Sequence, residues 1–418
     1  MGICINNFSK ILDWRPPNNW LEIKTIDLHT EGEPLRMIIE GYPTLKGKTI
    51  LEKRKFAQNK FDNIRRALIL EPRGHSDMYG AIITEPVTRE ADIGVIFIHN
   101  DGYSTGCGHA VIAITKALVE TGYIKKIEPE TVLRMDVPSG HIISYARVVD
   151  NEVKSVRFIN VPSFVQKLNG VININDYQDI SYDIAFGGAF YAIVAAEELD
   201  LECKPSNINK IINVGMEIKN AISNKVDVFH PFDKELNFLY GTIFIDKASS
   251  KEYHSKNVCV FANGEVDRSP TGTGVSARIA VHYARNEIAL GTSITIESII
   301  GSTFTVRAIE KTKIGKYDAV IPEVQGSANI IGVKNPIIDE IIEDLISSKN
   351  REELINYTRT LDRVLLFNYY LIPQFHIGHY RVAYWNKFSR PTTSPKYDLG
   401  FDFWWFDKEK EIKIGNIE

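Results

Sequence analysis

Residues 97–113 read FIHNDGYSTGCGHAVIA, and residues 261–277 read FANGEVDRSPTGTGVSA, with each position of the first stretch 164 before its counterpart in the second. Both run from an apolar strand through a polar loop and small residues into a helical pattern. Upstream, Tyr79-Gly80 repeats as Tyr240-Gly241 at an offset of 161, so one short loop differs by three residues. The echo predicts two halves of similar design, each ending a strand in a Gly-rich turn that opens a helix. The first helix is expected over Gly108–Thr121 and the second over Gly272–Asn286. Ala110, Val111, Ala113, Ile114, Ala117 and Leu118 give the first a nearly all-round apolar surface, which predicts burial.

Chemically special residues stand at both turns. Cys107 sits where the first helix begins. Free amide donors and the helix dipole favour negative charge there, so the thiol is expected to be acidified toward a thiolate. A lone cysteine is often simply packed, but the flanking Gly106 and Gly108 expose this backbone. Thr271 holds the matching place in the second half. The amides of Gly108–His109 and of Gly272–Thr273 are candidate anion sites facing each other, suited to a carboxylate. Asp267, four residues before Thr271, is placed to meet an ammonium group on the same ligand, the alternative being a surface turn pair with Arg268. His109 either orients the thiol or matters only through its amide. His29, His75 and His99 match no metal-ligand spacing.

Composition narrows the classes. The 418 residues are 44 % hydrophobic and 24 % charged, with net charge −4 and pI near 6.2, an ordinary globular profile with no electrostatic footprint for nucleic acid. No apolar run is long enough to span a bilayer. The N-terminal twenty residues lack a continuous apolar stretch and a small-residue cleavage site, so a cytoplasmic protein is expected. The cysteines at 4, 107, 203 and 259 form neither a disulfide framework nor a zinc motif.

The motifs Ser104-Thr-Gly-Cys-Gly-His109 and Asp267-Arg-Ser-Pro-Thr-Gly-Thr-Gly274 resemble the two catalytic loops of the proline racemase family. Asp27-Leu-His-Thr-Glu-Gly-Glu-Pro-Leu-Arg36, Glu71-Pro-Arg-Gly-His-Ser-Asp-Met-Tyr-Gly80 and Phe186-Gly-Gly-Ala-Phe-Tyr191 extend the likeness across residues 21–335. The resemblance implies an α/β fold of two pseudo-symmetric halves, each an antiparallel sheet curled around a central helix, as in diaminopimelate epimerase-like proteins. It places the site between the halves, with no cofactor and no metal, and is compatible with a homodimer. Expected boundaries are 21–165 and 166–336, with the last strands free to return to the first half. Racemases and hydroxyproline epimerases of this family carry Cys in both loops. Here the second is Thr271, a departure that looks like the trans-3-hydroxy-L-proline dehydratase branch.

Chemistry separates the branches. Racemisation needs a base on each face of the α-carbon, and an alcohol is far too weak to replace a thiol in that task. In trans-3-hydroxy-L-proline the α-hydrogen and the hydroxyl share the ring face opposite the carboxylate. One thiolate can therefore take the proton and return it to the departing oxygen, and the enamine tautomerises to Δ1-pyrroline-2-carboxylate. The expected activity is this cofactor-independent hydro-lyase acting on a small imino acid, with Cys107 and Thr271 catalytic and Gly108, His109, Asp267, Gly272 and Thr273 binding substrate. The alternative within enzymes is a proline racemase or hydroxyproline 2-epimerase.

Residues 337–418 differ in character, with 15 aromatic residues in 82. Leu361–Tyr370, Arg381–Phe388 and Gly400–Trp405 resemble the extreme C-terminus of periplasmic peptide-binding proteins of transport systems. Only some eighty residues of such a protein are present, so a fused segment is the expected account. A solute-binding role is the competitor from another class.

Overall fold

The helix that follows Cys107 is apolar on every side, and the fold surrounds it. The computed structural model describes residues 16–17 and 20–334, together with the strand segments 337–338, 388–389 and 405–406. In the first half, strands β1 (Lys24–Thr30) and β2 (Glu33–Glu40) lead through helix α1 (Ile50–Ile69) to β3 (Gly80–Thr84) and β4 (Ile93–Ile98). Helix α2 (Gly108–Glu120) then crosses to β5 (Glu130–Val137), β6 (Gly140–Val149) and β7 (Glu152–Ile159). The second half repeats the plan. Strands β8 (Ser163–Ile174), β9 (Tyr177–Phe186) and β10 (Phe190–Ala195) precede helix α3 (Ile208–Ser223), β11 (Leu239–Asp246) and β12 (Ser255–Phe261). Helix α4 (Gly272–Ala284) leads to β13 (Ile294–Glu297), β14 (Thr303–Ile314) and β15 (Tyr317–Gly326). The final strand, β16 (Ala328–Lys334), pairs with β1 and completes the first half. Both helices start where the sequence predicts and stop within two residues of the expected end.

Each sheet is mixed rather than purely antiparallel. Strands β2–β3 and β4–β5 pair in parallel, and so do their counterparts β10–β11 and β12–β13. Parallel neighbours need a crossover connection, and here α1 and α3 supply the outer crossovers. The buried helices α2 and α4 supply the inner ones. Residues Ala110–Ile114 of α2 are fully buried among the strands of their own sheet, as are Val275, Ala277 and Ile279 of α4.

The halves join where β15 pairs with β7, while farther along β15 pairs with β8 of its own half, so one sheet runs through both. Arg157 reinforces the seam by binding Glu130 at 2.8 Å and Glu323 at 2.8 Å. Asn160 spans it from within, donating to Gly187 O at 2.8 Å and Ser276 Oγ at 2.9 Å. Pairing continues past the composition break, since Ile337–Ile338 lies antiparallel to Leu21–Glu22. Both halves belong to the first of the chain's two units, Met1–Tyr357. In the second unit, Thr358–Glu418, Phe388–Ser389 pairs with Trp405–Phe406. The rest of the aromatic segment, and with it the binding-protein resemblance, lies outside the described residues. Among the described residues no helix is long and apolar enough to cross a membrane.

Candidate active site

Helices α2 and α4 start against each other. A Cβ added to Gly108 would lie 2.5 Å from Gly272 Cα, and one added to Gly272 would lie 2.6 Å from Gly108 Cα. Only glycine permits that approach. We expect Gly272→Ala to cost about 1–3 kcal/mol by overpacking. We also expect it to lower activity at least tenfold, because small misplacements of reacting groups are expensive. Urea unfolding and turnover measure both, and a variant matching wild type in either would refute the contact's importance.

Around this contact lies a cavity of about 10 Å³, room for roughly one water molecule. Its walls include Cys107, Gly108, His109, Asp267, Thr271, Gly272 and Thr273. The structure thus brings together every candidate residue read from the sequence.

The two helix starts are not equivalent. Cys107 has extended backbone (φ −153°), and its Sγ caps α2 by accepting from Ala110 N at 3.4 Å. Thr271 has φ +65° and makes no side-chain cap, and its buried Oγ1 has no hydrogen-bond partner. A β-branched residue in that region is an outlier costing on the order of 1–3 kcal/mol. The hydroxyl is left facing Asp267 and Cys259 without a short hydrogen bond to either.

The acidified thiol expected at Cys107 is not what the cavity provides. Burial pushes the thiol well above its ordinary range, and the carboxyls of Asp267 and Glu33 push it further. The Ala110 amide pulls downward, as the helix start should, but desolvation outweighs it. His109 lies with Nδ1 3.2 Å from Cys107 Sγ. Burial holds its pKa down to about 3, so the imidazole beside the thiol is neutral.

Asp267 is no surface turn residue. It is 2 % exposed, and its Oδ1 accepts from Ser269 N at 2.8 Å and Ser269 Oγ at 2.7 Å. Its Oδ2 lies 4.0 Å from His109 Nδ1. Burial raises its pKa to about 6 despite the Ser269 bonds. Two more buried carboxyls, missed in the sequence, stand behind it. Glu33 accepts from Arg268 N at 2.8 Å, Glu265 accepts from Asn100 N at 3.0 Å, and each keeps one unpartnered oxygen. Burial pushes both well above the usual carboxylate range.

A belt of aromatic residues closes the cavity. Tyr79 and Tyr240, the pair repeated at an offset of 161, meet with hydroxyls 3.4 Å apart. Tyr79 packs edge-on to His109, Tyr191 bonds Thr273 Oγ1 at 2.7 Å, and Phe261 stacks on Tyr240. These rings were not read as site residues, although the Tyr-Gly echo was the available signal. His29, His75 and His99 each accept a nearby backbone amide at Nδ1 and serve local turns. Among the described residues no group of three His, Cys, Asp or Glu is arranged to hold a metal ion.

Two curled sheets, each wrapped on an apolar helix, with the helix starts meeting over a buried thiol, define a two-half racemase-type architecture. The proline racemase family profile matches residues 25–341, and the chain belongs to that family. It is 48 % identical over 326 residues to the trans-3-hydroxy-L-proline dehydratase of Colwellia psychrerythraea, covering 77 % of this chain and 92 % of that one. It is 43 % identical over 318 residues to the 3-hydroxyproline 2-epimerase of Burkholderia multivorans, covering 76 % and 95 %. A hydroxyproline epimerase from Agrobacterium vitis with bound trans-4-hydroxy-L-proline superposes with TM-score 0.74 at 31 % identity, over 77 % of this chain and 94 % of that one.

Proposed function

We propose that this chain is a trans-3-hydroxy-L-proline dehydratase acting in the cytoplasm without a cofactor. The observation that carries the reading is the inequality of the two helix starts: one cavity holds Cys107 at one and Thr271 at the other. The substrate carboxylate would lie against the amides at both helix starts, with the Thr271 hydroxyl as an additional donor. Its ammonium would pair with Asp267. That positive charge offsets the carboxylates that raise the Cys107 thiol and so favours the thiolate where it is needed. The thiolate sulfur takes the α-hydrogen, the C–H electrons form the ring double bond, and the C3–O bond breaks. The same proton passes from sulfur to the departing oxygen, releasing water and restoring the thiolate. The amides at the helix starts stabilise the charge that builds on the carboxylate during proton removal.

Incubation with each 3- and 4-hydroxyproline stereoisomer, with L-proline as control, tests the proposal. Imine product from trans-3-hydroxy-L-proline alone is the expected result. The epimerase reading has one specific support: the Burkholderia multivorans relative carries that name at the same 43 % identity as several dehydratases. An inverted amino acid without water loss would favour it, and binding without turnover would favour a solute-binding role.

Thr271→Cys tests the branch assignment. A second thiol on the far face supplies the missing base, so weak racemisation of L-proline is expected, read as solvent deuterium at the α-carbon together with the D form. Wild type should exchange only with retention. Efficient inversion by wild type would remove the main support for the lyase.

A further inference from the structure

A second cavity, of about 250 Å³, has walls from both halves. Tyr240 is common to both cavities. Arg54 enters it from α1 and Lys219 from α3, and His99 and Asp101 complete the ionisable lining.

The cations here are unusually short of partners. Arg54 is 8 % exposed, donates from Nη2 to Tyr103 O at 2.7 Å, and has an unpartnered buried Nε. It forms no ion pair among the described residues, unlike buried Arg36 and Arg65, which hold Asp27 at 2.9 Å and Asp62 at 2.6 Å. Lys219 donates to Ala262 O at 2.6 Å and likewise has no ion pair among the described residues. His99 accepts from Asp101 N at Nδ1, which leaves the neutral ring's proton on Nε2. Burial first, and then the charges of Arg65, Lys219 and Arg54, hold its pKa down to about 3, so the ring is neutral. Asp101 is the one carboxylate in the described wall, set against two cations. A buried guanidinium with unused donors is costly unless a ligand satisfies it. Phe238, Leu239, Tyr240 and Ala262 give the wall an apolar side, and Gln58 adds a neutral polar group.

We propose that this inter-half cavity is a second binding site, for an organic carboxylate with an apolar body. The carboxylate pairs with Arg54 and Lys219, and the body lies against Phe238 and Tyr240. The site is separate from the catalytic cavity and stands whether or not the dehydratase reading does.

Calorimetric titration of the full chain with benzoate tests it, using a second sample carboxamidomethylated at Cys107 to fill the catalytic cavity. Benzoate is expected to bind both samples alike, and uncharged benzamide neither. Arg54→Gln and Lys219→Met should each weaken benzoate at least tenfold. Lys219 is only partly buried, so its variant keeps the test valid if Arg54→Gln misfolds. Loss of binding on alkylation would assign benzoate to the catalytic cavity and overturn the proposal. Affinity unchanged by the Lys219 substitution would overturn it as well. Binding of inorganic phosphate without benzoate would refute the carboxylate class.

Discussion

Cys107→Ser is expected to lower turnover of trans-3-hydroxy-L-proline by about a hundredfold or more, the range a positioned acid–base group contributes. Serine cannot supply an anion near neutral pH, yet its hydroxyl can accept from Ala110 N as Sγ does at 3.4 Å. Serine is a favoured N-cap, so α2 and the thermal midpoint should be preserved. A folded variant retaining more than about one hundredth of wild-type activity would contradict Cys107 as the base. The raised thiol pKa adds a second expectation. Alkylation without added ligand should be slow at neutral pH and accelerate beyond the ordinary thiol range, because burial keeps the thiolate scarce. Pyrrole-2-carboxylate should protect the site, and equally fast modification with and without it would place the thiol elsewhere.

Asp267→Asn should nearly abolish activity while making the protein more stable at neutral pH. The carboxyl's pKa is about 6 in the fold against an ordinary aspartate value of 3.8. The folded chain therefore holds this proton more tightly than the unfolded chain. Stability from the group is fully present below the unfolded value and is lost as pH rises through about 6. Asparagine removes that loss. It keeps an oxygen for the Ser269 donors but forgoes the charge assistance, so the net gain should be on the order of 2 kcal/mol. Urea unfolding at pH 5 and pH 7.5 measures it, and the gain should appear mainly at the higher pH. Wild-type kcat/KM should fall below pH about 6, where the neutral carboxyl no longer attracts an ammonium. A variant that is less stable at pH 7.5, or that keeps wild-type kcat/KM, would rule out this account. Glu33 and Glu265 oppose ionisation in the same sense, so the fold gives up stability at three buried carboxyls around one cavity.

The candidate site was legible in sequence to the extent that its parts are local. A strand, a Gly-rich turn and a helix start occupy a few successive residues, so Cys107, Gly108, His109, Thr271, Gly272 and Thr273 could be placed at helix N-termini by pattern alone. The repeat added the inference that two such starts exist. Nothing local marked Glu33, on β2, as a member of the same buried cluster as Asp267, whereas Glu265 stands two residues before Asp267 and shares its face by strand alternation, a signal that was not used. The Tyr79–Tyr240 echo was visible, but only the meeting of the halves turns two distant tyrosines into one hydroxyl pair. The parallel pairings were likewise hidden, since periodicity marks a strand without saying which neighbour it takes.

By itself, then, the sequence determined the two buried helices with the strand and turn that open each, their twofold repetition and the chemical inequality of Cys107 and Thr271, all properties set within a few residues by helix capping and turn chemistry. Tertiary structure decided the rest. It pressed Gly108 against Gly272, placed Thr271 in a strained backbone, and left Arg54 and Lys219 between the halves with no ion pair among the described residues. It also reversed the direction expected for the thiol. A helix start acts on Cys107 through adjacent amides, whereas desolvation and the field of Asp267 and Glu33 are sums over groups brought together only by folding, and those sums are larger.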